Sequence, residues 1–241
     1  MKTTTIKRTF ATIAILACTT TANAQKKKND YVPLFNGVNS QGWHLATGKP
    51  FPEKGWVIKD GVITIQASGG KEAATYGDIV TDKLYSAFDL VFDFKLTPGA
   101  NSGVKYFVTL DEKTTGSAIG LEYQVLDDEL HPDAKLGRDG DRTLSSLYDL
   151  IKGEKPKSII KPIGEWNHGR IIVYPNNHVE HYLNGVKVLE YERGSAAFEA
   201  LVAQSKYAKW PHFGEAKKGH ILLQDHGNEV SFKNIKIKEL D

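Results

Sequence analysis

Apolar and polar residues alternate at period two in many short runs along this chain, and Gly, Asn, Asp and Pro separate the runs. Phe88 to Leu96 (FDLVFDFKL), Val104 to Leu110 and Gly120 to Leu126 (GLEYQVL) each predict a strand. Trp56-Val57-Ile58 and Val62-Ile63-Thr64-Ile65 flank Lys59-Asp60-Gly61, which predicts a hairpin with a Gly-assisted turn. Val179 to Leu183 and Val186 to Tyr191 flank Asn184-Gly185, the strongest hairpin signal in the chain. Arg170 to Tyr174, His220 to Leu223 and Val230 to Ile237 are further strands. The one convincing helical stretch is Ala196 to Lys206, after a Gly194-Ser195 start signal. There is no βαβ rhythm, no internal repeat and no Pro/Ser-rich linker. The pattern predicts an all-β protein: one antiparallel double-sheet jelly-roll sandwich with one short helix.

The segments Trp166-Asn167, Arg170 to Val173 and His181-Tyr182-Leu183-Asn184-Gly185 resemble the concanavalin-like jelly rolls of lectins and glucanases. In such sandwiches a ligand lies across the concave sheet. Composition agrees with this class. The 241 residues include 22 Gly, 10 Tyr, 10 Phe and 4 Trp against a single Met. The formal net charge is +2, and removing Lys2, Lys7 and Arg8 leaves 28 basic against 29 acidic groups. A near-neutral body gives no electrostatic reason to expect nucleic acid or an anionic membrane as partner.

Those three cations open a secretory pattern. An apolar run from Phe10 to Cys18 follows, then Ala22-Asn23-Ala24 as a cleavage site. Residues 1–24 therefore read as a signal peptide, 25–30 as a polar tether and 31–241 as a single domain. The apolar run is too short to span a bilayer, so the mature chain has no expected transmembrane segment. Export to the periplasm or envelope follows, with lipidation at Cys18 as the alternative. Cys18 is the only cysteine, so the mature body has no thiol nucleophile. G-x-S-x-G, H-E-x-x-H and P-loop motifs are absent too.

Strand parity sorts the polar candidates. Glu122 and Gln124 share one face of their strand, with Leu121, Tyr123 and Val125 on the other. Lys105 opposes Val104 and Tyr106 in parity, and Gln224 shares a face with His226. A carboxylate, an amide, a lysine and a histidine on different strands supply a base, an orienter and a cation for developing negative charge. His181 shares its face with apolar Val179 and Leu183, which suits a structural role as well as a functional one. Tyr148, Trp166 and Trp210 are candidate sugar-stacking platforms, though core packing is the commoner fate of each. The acidic loop Asp127-Asp128-Glu129, His131 and Asp133 has ligand types for a hard cation without the spacing of an EF-hand.

Seven ordered motifs then carry a more specific likeness. They are Phe35-Asn36-Gly37, Asn101-Ser102-Gly103, Gly120 to Asp127, Leu147-Tyr148-Asp149, Trp166-Asn167, His181 to Gly185, and Gln224-Asp225-His226-Gly227 followed by Phe232-Lys233-Asn234-Ile235. Together they resemble the 3-keto-disaccharide hydrolase family, long catalogued as a domain of unknown function, over Tyr31 to Leu240. The resemblance implies action on glycosides already oxidised at C3 by a separate sugar 3-dehydrogenase. A C3 ketone acidifies the C2 proton, so a base expels the C1 substituent and water adds to the unsaturated sugar. On that reading Glu122 or His226 is the base. Lys105, Gln124 or a divalent cation stabilises the enediolate, and Tyr148 or the other member of the Glu/His pair protonates the leaving oxygen. Asn101, Asp127, Trp166, His181, Trp210, Gln224 and Asp225 are the implied substrate contacts, and no cofactor other than that cation is evident.

Two other readings stand beside it. Gly120-x-Glu122-x-Gln124-x-x-Asp127 looks like the G-x-E-x-D-x-x-E strand of retaining β-glucanases, whose outer carboxylates lie about 5–5.5 Å apart. Here the middle acid is an amide, and Glu122 and Asp127 have opposite parity. A non-catalytic carbohydrate-binding module is the third reading.

Overall fold

The computed structural model describes residues 1–2, 30–69, 75–114 and 117–240. The expected cleavage site, Cys18 and the Lys26–Lys28 tether lie outside the described residues. The strands in chain order begin with β1 (Val32–Pro33), β2 (Trp43–Leu45), β3 (Trp56–Lys59), β4 (Val62–Ile65) and β5 (Ile79–Thr81). Long strands follow: β6 (Phe88–Leu96), β7 (Asn101–Thr114) and β8 (Ser117–Leu126). After an extended loop come β9 (Asn167–Val173), β10 (His178–Leu183) and β11 (Val186–Glu192), then helix α1 (Ala196–Ala203), β12 (His220–Leu223) and β13 (Val230–Glu239).

They form two antiparallel sheets. The larger runs β11-β10-β9-β6-β13-β4-β3, with β1 also paired to β13, and the smaller runs β2-β5-β12-β7-β8. This is the all-β jelly-roll sandwich with one α-helix that the alternation predicts. Both hairpin turns are as expected, with positive φ at Asp60 and Gly61 and at Asn184 and Gly185. The helix is shorter than its apolar pattern. It stops at Ala203, and Lys206–Lys209 continues as a single 3-10 turn. Ser195 caps it by accepting from the Phe198 N–H.

The core lies between the sheets. Phe88, Leu90, Phe92 and Phe94 of β6 face Val104 and Tyr106 of β7 and Leu121, Tyr123 and Val125 of β8, all essentially fully buried. Phe92 and Tyr123 meet edge to face at 5.3 Å between ring centroids. His181 belongs to this core and not to a ligand surface, which corrects its expected role as a substrate contact. Its Nε2 is 2.8 Å from the Tyr106 hydroxyl and its Nδ1 3.2 Å from the Ser145 carbonyl. Tyr106 in turn meets the Tyr191 hydroxyl at 2.8 Å.

Burial holds His181 neutral, pushing its pKa down to about 3 despite the Ser145 carbonyl. The unfolded chain binds that proton near the ordinary histidine value of about 6.5. His181 therefore subtracts stability progressively as pH falls from about 6.5 to about 3, and has no effect above that window. His181→Gln, which does not titrate, should flatten the loss of Tm over this range. Parallel acid melts of the two proteins would exclude the account.

Candidate active site

Inter-strand register assembles a polar cluster on the outer face of the five-stranded sheet. Lys105 of β7 lies opposite Glu122 of β8 and Leu222 of β12, and Gly103 lies opposite Gln124. The Gln224 N–H donates to the Gly103 carbonyl, extending that alignment past the end of β12. With side chains alternating, Asn101, Lys105, Glu122, Gln124 and Gln224 fall on the face opposite the Val104/Tyr123 core, and His226 lies in the loop that follows β12. The side chains that chain parity groups are thus brought together. They are not an open solvated floor, because Lys105, Glu122, Gln124 and Gln224 are all buried.

Glu122 is the centre of the cluster. Its carboxylate crosses directly above Gly103, where an added Cβ would stand 2.4 Å from Oε1. The Lys105 Nζ lies 3.8 Å from Glu122 Oε2 and donates to the Ala118 carbonyl at 3.2 Å.

The loop between β8 and β9 builds the adjacent wall. Residues 145–148 pair with the free edge of β8: Ser145 N–H donates to the Gln124 carbonyl, Gln124 N–H to Ser146, and Tyr148 N–H to Glu122. Tyr148 packs under Arg142 and Lys206, whose charged groups stand 5.3 and 4.0 Å from its ring centroid. Burial first, then the Asp133 and Glu122 carboxylates, push the Tyr148 hydroxyl well above the ordinary tyrosine value. Its proton is donated to Asp133 Oδ2 at 2.8 Å. Tyr148 thus stands as a neutral wall whose proton is already engaged. Arg142 clamps Asp133 at 2.9 Å and Asp149 at 2.7 Å. Burial against the Tyr148 and Tyr207 rings lowers the pKa of the Lys206 ammonium, while Glu122 acts in the opposite sense.

Three buried polar atoms in this region have no partner: Asn101 Oδ1, Gln224 Oε1 and His226 Nδ1. An unpaired buried acceptor is costly, so such a group marks a place for a donor to bind. The rings of His131 and His226 meet edge to face at 5.8 Å. His131 Nδ1 accepts from the Asp133 N–H at 3.2 Å, which leaves the His131 proton on Nε2.

Other expected contacts sit elsewhere, for physical reasons. Asp127 accepts three backbone N–H groups, from Gly99, Glu129 and Leu130, and so closes a loop. Asp225 does the same for Tyr76, Gly77 and Gly227. Asp128 accepts from the Leu144 N–H and faces Lys155, so the acidic loop is tied to the protein and does not converge on a cation cage. Gln124 is bonded to the Arg142 carbonyl and the Val125 N–H, a tie between strand and loop. Trp166 lies against Lys95 and Lys233 of the larger sheet, away from the cluster. Trp210 stands behind Tyr207, with 6.0 Å between centroids. Among the described residues His178, Glu180 and Glu190 also gather, but Lys187 bridges both carboxylates at 3.1 and 2.6 Å.

The structure is thus a jelly-roll sandwich with a buried carboxylate–ammonium pair and unpartnered polar atoms on its smaller sheet. The chain belongs to the 3-keto-alpha-glucoside-1,2-lyase-like domain family, whose profile matches residues 30–238. A 3-keto-disaccharide hydrolase of Bacteroides thetaiotaomicron is 38% identical over 232 residues, covering 88% of this chain and 79% of that protein. A crystal structure from Parabacteroides distasonis, assigned as a glycosyl hydrolase, is similar with a TM-score of 0.72 and 33% identity, covering 88% of this chain and 94% of that one. A Bacillus subtilis protein with a galectin-like fold shares the architecture at a TM-score of 0.52 and 14% identity, covering 87% of this chain and 94% of its own.

Proposed function

We propose that this glycosidic-bond hydrolase cleaves 3-keto-glycosides by C2 deprotonation, elimination and hydration. The observation that carries the reading is the Glu122 carboxylate held over Gly103 beside Lys105, with unpartnered Asn101 Oδ1 and Gln224 Oε1 on the same sheet. Glu122 takes the C2 proton. The electron pair moves into the C2–C3 bond and the C3 oxygen becomes an enediolate, which the Lys105 ammonium stabilises. The C1–O bond then breaks as protonated His226 gives its proton to the leaving oxygen. Water adds across the C1–C2 double bond, its hydroxyl to C1 and a proton to C2, completing hydrolysis. Asn101 Oδ1 and Gln224 Oε1 accept from sugar hydroxyls.

Double displacement of the β-glucanase kind lacks its second acid, because the Asp127 carboxylate is taken up by the N–H groups of Gly99, Glu129 and Leu130. On this reading a sugar 3-dehydrogenase supplies the ketone, and the signal-peptide pattern of residues 1–24 supports export to the periplasm or envelope. Asn101, Gln224 and His226 would hold a divalent cation, which would supply positive charge to stabilise developing negative charge.

The test is an NMR time course in D₂O with matched plain and 3-keto-disaccharides, with and without EDTA. Cleavage of the keto form alone, with deuterium at C2, is expected. His226→Ala should keep C2 exchange while losing cleavage, since it acts after deprotonation. Cleavage of the plain sugar without C2 exchange would overturn the mechanism, and an EDTA-insensitive rate would exclude the cation.

A further inference from the structure

Two lysines attend Glu122, and the protein has committed them to different degrees. Lys105 is buried, donates to the Ala118 carbonyl at 3.2 Å and lies 3.8 Å from Glu122 Oε2. Lys206 is exposed as a residue, yet its ammonium stands 4.0 Å from the Tyr148 ring centroid and 5.1 Å from that of Tyr207. Among the described residues, no acceptor lies within hydrogen-bonding distance of that ammonium. Its N–H groups are therefore unspent, while the Lys105 ammonium is already engaged.

Lys206 stands on the Glu122 side of the sheet. Leu147 bridges to Tyr123 and is buried in the core, so the next residue, Tyr148, turns outward beside Glu122. The ammonium over the Tyr148 ring shares that face, and Glu122 acts electrostatically on Lys206, Tyr148 and Tyr207 alike. The base of the side chain is fixed. The Lys206 N–H donates to Asp149 Oδ2 at 2.7 Å, and Arg142 holds the other oxygen of that carboxylate at 2.7 Å. Tyr207 is buried and stacks on Phe213 with 3.9 Å between ring centroids. An ammonium set against two aromatic faces has lost part of its hydration without gaining an acceptor, and that burial lowers its pKa. Such a group gains most from an oxygen that becomes negative, because a charge-assisted hydrogen bond is roughly twice as strong as a neutral one. In the proposed reaction that oxygen is the one on C3.

We infer that Lys206 is a second catalytic cation, which donates to the C3 oxygen of the substrate from the loop wall while Lys105 supports it from the sheet. The inference rests on the proposed reaction for the charge that Lys206 meets, and its contact with the sugar is testable without turnover.

The first measurement is deuterium entry at C2 of a 3-keto-disaccharide. Lys206→Met keeps an apolar stem of similar length and removes the donor, so exchange should fall by about 10², the cost of one lost donor to a developing oxyanion. The Tm should stay within a few degrees of the parent. Lys206→Arg keeps a cation that stacks on an aromatic ring and should recover at least about tenfold of that loss. The second measurement traps proximity in Glu122→Gln, which lacks the base, with the same keto-sugar and sodium cyanoborohydride. An amine that reaches the C3 carbonyl forms a C–N bond, the carbonyl oxygen leaves as water, and hydride from the reagent fixes the product as a secondary amine. Peptide mass mapping should find the sugar on Lys206 ahead of every other lysine. Exchange at the parent rate in Lys206→Met, or labelling that falls on other lysines instead, overturns the inference. If the parent protein neither exchanges nor cleaves the keto-sugar while the label still falls on Lys206, the proposed reaction fails and the contact stands.

Discussion

Glu122→Gln should reduce turnover of a 3-keto-disaccharide by at least about 10² and stop deuterium entry at C2, with the fold intact. The magnitude is that of a lost general base. The amide keeps the shape of the side chain, so it still lies across Gly103, and only the proton acceptor disappears. Lys105 loses its counter-charge at 3.8 Å, which should also shift the melt slightly. The C2 exchange rate separates this from damage elsewhere, because a mispositioned leaving-group acid leaves exchange running. Near-wild-type exchange in Glu122→Gln would remove Glu122 from the role of base and leave His226 as the candidate.

Gly103→Ala should be nearly as damaging although it adds only a methyl group. The new Cβ would meet Glu122 Oε1 at 2.4 Å and its Cδ and Cγ at 3.0 Å. Since Gly103 does not occupy a left-handed conformation, the strand backbone accepts alanine, and the carboxylate is what has to move. Displacing a base by an ångström or so costs on the order of 10² in rate. The expected result is a loss of kcat of that size with a Tm within a few degrees of the parent. Unchanged kcat would show that the observed Glu122 placement is not the reactive one.

How much of this was legible in the chain depends on periodicity. Phe88 to Leu96 coincides with β6, because long alternation over a buried face has one reading. β1, β2 and β5 have only two or three residues each, too few for a period. On the smaller sheet, parity gives the facing of Lys105, Glu122, Gln124 and Gln224, since strand geometry dictates it, while His226 lies past the end of β12 where no period applies. Arg142, Lys206 and Tyr207 arrive from loops and a 3-10 turn, where no repeat relates sequence position to direction. Their place follows from loop packing, as does the tying of Asp127 and Asp225 to backbone N–H groups. His181 was open to both readings, and its apolar face-mates Val179 and Leu183 were the signal that prevailed.

β8 is the last strand of its sheet, and strands in that position invite pairing with another chain. Residues 145–148 occupy the edge instead. The loop that brings Tyr148 to Glu122 therefore also shields the sandwich from self-association. Substitutions that loosen the Arg142 clamp on Asp133 and Asp149 would expose a hydrogen-bonding edge in the same event that dismantles the site wall. Inactivity and aggregation should then rise together across such a series. Selection for a soluble chain would in this way preserve the geometry of the site as well.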